Sequence, residues 1–146
     1  MTMNRKWLPS FVDLIDRQSI FQLKEVMIPQ NKDVYAQEMK NISHDLTQII
    51  EEKQLKWSGE VVSAIIALAQ VNAHIWYNES KVRSGEEQDL SLLKLTHGLN
   101  GIRNRLMNFI KFKTGESDRI DLKTDCLAAE FKDWEYSVLN PDQEES

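Results

Sequence analysis

The chain has 146 residues, 41% hydrophobic and 28% charged, with a formal net charge of −5. That size and balance suit one globular domain with its own core, and the acidic charge argues against a generic nucleic-acid binder. Five Gly and three Pro are too few for a turn-rich all-β fold, and one cysteine, Cys126, excludes an intramolecular disulfide and a Cys-based zinc site.

Apolar periodicity and end signals predict five helices. The first spans about Phe11 to Ile28, with Ser10 three before Asp13 as a capping-box-like start and Pro29 as its stop. The second spans about Asp33 to Lys53, with Val34, Tyr35, Met39, Ile42, Leu46, Ile49 and Ile50 as its stripe. The third spans about Gly59 to Arg83, with Ser58 as N-cap and Ser84-Gly85 as its end. The fourth spans about Asp89 to Lys113, ended by Thr114-Gly115. The fifth spans about Arg119 to Val138, before Asn140-Pro141.

The short turn after the third helix predicts an antiparallel pair with the fourth. The expected fold is all-α: a four-helix up-down core with one additional C-terminal helix. Residues 1–146 are expected to form a single domain, structured over 8–139, with an acidic, disordered tail at 140–146. No apolar stretch after Arg5 and Lys6 would serve as a signal peptide. The longest apolar-rich stretch, Val61 to Val71, is about half a membrane span. A cytoplasmic protein without membrane attachment is expected.

The first helix is apolar on two sides. Phe11, Leu14, Phe21 and Ile28 share one side, and Leu23, Val26 and Met27 lie on the other. Either it is central in the bundle or one side meets another subunit. On the third helix the stripe Val61, Ile65, Leu68, Ala69 continues into Asn72, Trp76, Glu79 and Arg83. Asn72 and Glu79 therefore point where core residues belong. A buried polar group without a partner costs roughly 1–3 kcal/mol. The two must join an internal polar network or line a ligand site.

The fourth helix places Leu95, Leu99, Ile102, Leu106, Phe109 and Ile110 on its core face. Opposite them lie His97, Asn100, Gly101, Asn104, Asn108 and Lys111. Asn and Gly there cost helix propensity, roughly 0.5–1 kcal/mol each. Such small hydrogen-bonding residues suit a second helix or subunit, or a polar ligand, better than open solvent. No acidic residue occurs from Leu90 to Gly115, yet Lys94, Arg103, Arg105, Lys111 and Lys113 do. The helix dipole accounts for Lys111 and Lys113 but not for Arg103. Arg103 and Arg105 need either a carboxylate, for which Glu79 is a candidate, or an anionic ligand.

Catalytic patterns are missing. There is no Gly-rich phosphate loop, no nucleophile elbow and no Glu-x-x-His pair for a di-iron bundle. Glu51-Glu52 and Glu86-Glu87 read as solvated charge rather than as the spaced carboxylates of helical nucleotide pyrophosphohydrolases. No metal and no cofactor are expected.

The hairpin formed by the third and fourth helices resembles a group of bacterial and phage helical proteins without an assigned activity. Some members of the group are linked to surface-polysaccharide loci. The group's pattern is Asn, then Trp-x-x-Glu-Asp, Arg, a gap, and Leu-Asn-x-x-Arg-Asn. Asn72, Trp76, Glu79 and Arg83 match its first half, and Leu99, Asn100, Arg103 and Asn104 its second. Leu14-Ile15-Asp16-Arg17-Gln18-Ser19-Ile20, followed by Lys24, is similar to the group's opening helix. Ser80 stands where the group often has Asp, which speaks against a role for paired carboxylates there. The resemblance covers about half of the chain and implies the fold and the place of a site rather than a reaction.

Two functions remain. The preferred one is a non-enzymatic helical binding and assembly protein, homo-oligomeric through the Asn-rich face of the fourth helix. The other is a protein that binds, sequesters or processes a small anion, a nucleotide or sugar phosphate, with Glu79, Arg103 and Arg105 in the site. The candidate ligand-binding residues are Asn72, Trp76, Glu79, Arg83, His97, Asn100, Arg103, Asn104 and Arg105.

Overall fold

The computed structural model describes residues 8–84 and 90–116, apart from the side chains of residues 82–84 and 90–92. Within them the chain is all-helical: α1 (Phe11–Met27), a single 3-10 turn (Pro29–Asn31), α2 (Lys32–Lys53), α3 (Gly59–Ser84) and α4 (Leu90–Lys113). The expected fifth helix, Cys126 and the acidic tail lie outside the described residues. None of the described helices is long and apolar enough to cross a membrane.

Local chemistry sets the helix ends. The Asp13 backbone N–H donates to Ser10 Oγ at 3.1 Å, and the Ser10 N–H donates to Asp13 Oδ2 at 3.2 Å. This reciprocal box satisfies two otherwise orphaned donors at the start of α1. Ile28 leaves the helical region at φ −128° and ψ 71°. A residue before proline is pushed there because the Pro29 ring crowds its backbone. Ser58 caps α3, its Oγ accepting from the Val61 N–H at 3.2 Å.

Helix α2 ends on Gln54 in the left-handed region, at φ 48° and ψ 56°. The Leu55 N–H then reaches back to the Ile50 carbonyl at 3.3 Å, and the Leu55 side chain is buried. A side chain with a Cβ is strained at this φ, and glycine is not. Gln54→Gly is therefore expected to stabilise the chain by about 0.5 kcal/mol, after the larger entropy of the unfolded glycine variant is deducted. A rise in the midpoint of urea unfolding at unchanged slope checks it.

Packing follows from the apolar faces. Helices α3 and α4 are antiparallel neighbours: Lys113 at the end of α4 pairs with Glu60 at the start of α3 at 3.4 Å. The Lys56 N–H donates to the Thr114 carbonyl at 2.9 Å beside them. Helix α1 lies against this hairpin, and α2 packs on the other side of α1. Both faces of α1 are thus occupied over most of its length, with α2 running antiparallel to it through Gln18–Ser43 and Phe21–Tyr35 contacts. The C-terminal turn is the exception, since Val26 and Met27 stay exposed.

One continuous core joins Phe11 and Val12 of α1, Leu68 and Val71 of α3, and Leu99, Ile102, Leu106 and Ile110 of α4. Leu46, Ile49 and Ile50 of α2 pack against it from the side. Each fully buried large side chain contributes roughly 1.5–3 kcal/mol relative to its exposed state. At one pole Glu116, just beyond α4, has a side chain only 2% exposed. Its Oε2 accepts the Phe11 backbone N–H and lies 3.7 Å from Lys53 Nζ. This carboxylate ties together the start of α1, the end of α2 and the end of α4.

The buried seam of α3 differs from the stripe read off the sequence. Val61, Ala64, Leu68, Val71, Ile75 and Asn78 are buried. Their spacing alternates three and four, a 3.5-residue repeat. A straight 3.6-residue helix drifts about 20° per heptad against such a seam. By the last turns the seam has moved from Trp76 and Glu79 to Ile75 and Asn78.

Candidate functional site

A polar cluster joins α1, α3 and α4. On α1, Val12, Asp16, Ser19 and Leu23 are spaced four, three and four apart, which sets Asp16 on a core-facing side. It is 7% exposed. Asn72 of α3, which is 5% exposed, and the half-buried Arg103 of α4 approach it from the hairpin.

Arg103 grips the Asp16 carboxylate with two donors, Nε to Oδ1 at 2.9 Å and Nη2 to Oδ2. Asn72 Nδ2 donates to the same Oδ1 at 2.9 Å and to Ser19 Oγ at 2.7 Å. Ser19 Oγ in turn donates to the Asp16 carbonyl at 2.8 Å. On the far side, Asn100 Oδ1 accepts from Arg103 Nη1 at 3.5 Å, and Asn100 Nδ2 donates to the Thr96 carbonyl at 3.2 Å. The network therefore runs from the α4 backbone through Asn100, Arg103, Asp16 and Asn72 to Ser19.

The electrostatics follow from this geometry. The hydrogen bond to Asp16 holds the Arg103 guanidinium above its ordinary basicity. Burial opposes that shift, while the charges of Asp16, Glu79 and Asp13 add to it. A raised pKa contributes stability below the ordinary arginine range, and that contribution is lost only as pH rises through the folded-state value. The arginine side of the pair therefore does not respond to pH near neutrality. Removing a carboxylate from water is expensive, and a bidentate guanidinium with a further amide donor is the arrangement that offsets it.

Of the residues singled out in the sequence, Asn72, Asn100 and Arg103 converge. Glu79 does not: it is exposed, because the buried seam has drifted away from it, and the carboxylate that meets Arg103 is Asp16. Glu79→Ala is accordingly expected to change stability by less than about 0.5 kcal/mol, measurable by chemical denaturation. Trp76 is half-buried and lines a groove between α1 and α3 instead. His97 is exposed. Asn104 and Arg105 are half-buried, and each has an interaction of its own. The Arg83 side chain lies outside the described residues.

The Asn-rich face of α4 is not an open solvent face. Gly101 and Asn108 on it are buried within the single chain, Asn108 at 7% exposure. Sequence reasoning missed Asp16, Ser19 and the buried Asn78. For the first two a signal existed, a carboxylate and a hydroxyl standing in a stripe with Val12 and Leu23.

Chemically the cluster is a set of mutually satisfied groups. The Asp16 carboxylate receives three donors, and the Arg103 charge is compensated. A general base or an anion clamp needs capacity left over for a substrate. Among the described residues no group of three or more His, Cys, Asp or Glu could hold a metal ion. No family model, curated protein or solved structure matches this chain.

Proposed function

We propose that the chain is a non-catalytic helical binding and assembly protein that associates with itself. The observation that carries this reading is the character of α3. From Val61 to Asn78 it has no Asp, Glu, Lys or Arg, yet Val62, Ile66 and Tyr77 on its outer side are 48%, 55% and 55% exposed. They share that side with the exposed but uncharged Ser63, Gln70 and His74, and large apolar side chains grouped on an exposed face mark a contact surface. Three of the polar residues that could have served chemistry, Asn72, Asn100 and Arg103, are engaged in the Asp16 cluster, which suits a scaffold. With Gly101 and Asn108 already buried, the Asn-rich face of α4 has its offsetting contacts inside the chain, and α3 becomes the better self-association surface. The up-down order of the helices, with a C-terminal helix added, and the likeness to the bacterial and phage group belong to this same reading.

The alternative, a small-anion protein, is less favoured because Arg103 is neutralised by Asp16. Size-exclusion chromatography with light scattering on the full chain, over a wide concentration range, tests the main reading. A mass that rises toward a multiple of the monomer is expected, and a strict monomer throughout would overturn it. Nucleotides and sugar phosphates at millimolar concentration are expected to leave the melting temperature unchanged. A ligand that binds only the native state must raise it.

A further inference from the structure

Building on the C-terminal helix of the reading above rather than on its self-association, we infer that the stretch after Glu116 returns along α4 and seats on its Asn-rich face between Gly101 and Asn108. Asn108 lies about 180° round α4 from the core residue Leu99, and Gly101 about 200°. Yet Asn108 is only 7% exposed and Gly101 is buried. Among the described helices, α4 packs against α3 and α1. Helix α3 takes the core side, and α1 meets Arg103, about 40° from Leu99. Burying a side chain on the opposite side takes contacts from a further element. Asn104 and Arg105, which flank the patch, each have an interaction, as Asn108 does.

The chain leaves α4 at a fixed place. Thr114 and Gly115 close the helix, Gly115 in the left-handed region at φ 81°, an ending that turns the chain aside. Glu116 is then held by the Phe11 N–H at the start of α1. A short connection from such a point makes the next helix an antiparallel neighbour. As a helix, residues 119–138 span about 30 Å, against about 36 Å for the 24 residues of α4.

The sequence of that stretch fits the seat. Ile120, Leu127, Phe131, Trp134 and Val138 recur at helical spacing and form one apolar stripe. With residue 119 level with Glu116, an antiparallel run sets Leu127 level with Asn108, Phe131 with Asn104 and Trp134 with Gly101. The largest side chain then meets the residue that has no Cβ to hold it off. Charge agrees with this placement. Helix α4 has no acidic residue, whereas residues 119–138 carry Asp121, Asp125, Glu130, Asp133 and Glu135 against Arg119, Lys123 and Lys132. Glu130 and Glu135 flank the apolar stripe as Asn104 and Arg105 flank the patch, so carboxylates face amide and guanidinium donors.

The test uses the full chain in a Cys126→Ser background. Asn108→Cys with Leu127→Cys is expected to take up one short bis-maleimide that joins the two positions within a chain, read by intact mass. Asn108→Cys with Val138→Cys is expected to take up two separate linkers, because those positions stand about 16 Å apart along the helices. Gly101→Leu is expected to lower the midpoint of urea unfolding, although leucine is the better helix former. Amide exchange over residues 119–138 is expected to be slowed. Separate linkers at positions 108 and 127, or a higher midpoint for Gly101→Leu, overturn the seat. A link between two chains at 108 and 127 overturns docking within one chain while self-association stands. Unprotected amides over 119–138 overturn the C-terminal helix together with its seat.

Discussion

Replacing Asp16 by Ala is expected to destabilise the chain by about 3 kcal/mol, the low end of what breaking a buried ion pair costs. The variant leaves Arg103 charged in a half-buried place with its two carboxylate contacts gone. It also takes one acceptor from Asn72 Nδ2. The Arg103 side chain is 28% exposed, so water reaches part of the guanidinium and the cost stays below the fully buried limit. Domains of this kind are stable by about 5–15 kcal/mol in total, so the loss is a large share. Urea unfolding measures it directly. Replacing both partners by apolar residues, Asp16→Leu with Arg103→Met, is expected to restore most of the loss, because neither charge then remains to be solvated. On that reasoning the ion pair fixes how α1 seats on the hairpin more than it adds net stability.

Phe11→Ala is expected to cost about 3–5 kcal/mol, through the lost transfer energy of the ring and the cavity left behind. Phe11 is 0% exposed and meets Trp57 edge-on, with ring centroids 5.7 Å apart and planes at 84°. It sits at the first position of α1, where its backbone N–H is held by Glu116. The substitution therefore loosens the pole at which three helix ends meet, and a lower thermal midpoint at an unchanged far-UV spectrum checks it. If Phe11→Ala cost less than about 1 kcal/mol, that pole would be free to collapse around the cavity.

The helices were legible in the sequence because their signals are local. Ser10, Pro29 and Ser58 act within a turn of their own positions, and the observed ends of α1 to α4 fall within one residue of those expected. The antiparallel hairpin was legible for the same reason. The polar cluster was legible in part. Asn72 and Arg103 stood out as polar groups beside core positions, and both find partners there. Their shared partner was not visible, because pairing Asp16 with Arg103 requires knowing that α1 seats on the α3–α4 pair. Glu79 was misplaced by a different cause. A stripe extrapolated at 3.6 residues per turn over the whole of α3 accumulates an angular error against a 3.5-residue seam. The outer face of α3 carried a sequence signal too, the absence of charge from Val61 to Asn78, but that absence gains meaning only once the open side of the helix is known.

A double-mutant cycle between Asp16→Ala and Arg103→Ala tests most directly whether this pair links α1 to α4. Charged hydrogen bonds of this kind contribute about 1.5–3 kcal/mol, so a coupling energy of about 2 kcal/mol is expected between the two substitutions. Additivity to within about 0.5 kcal/mol would mean that the two side chains do not support one another, and would contradict it.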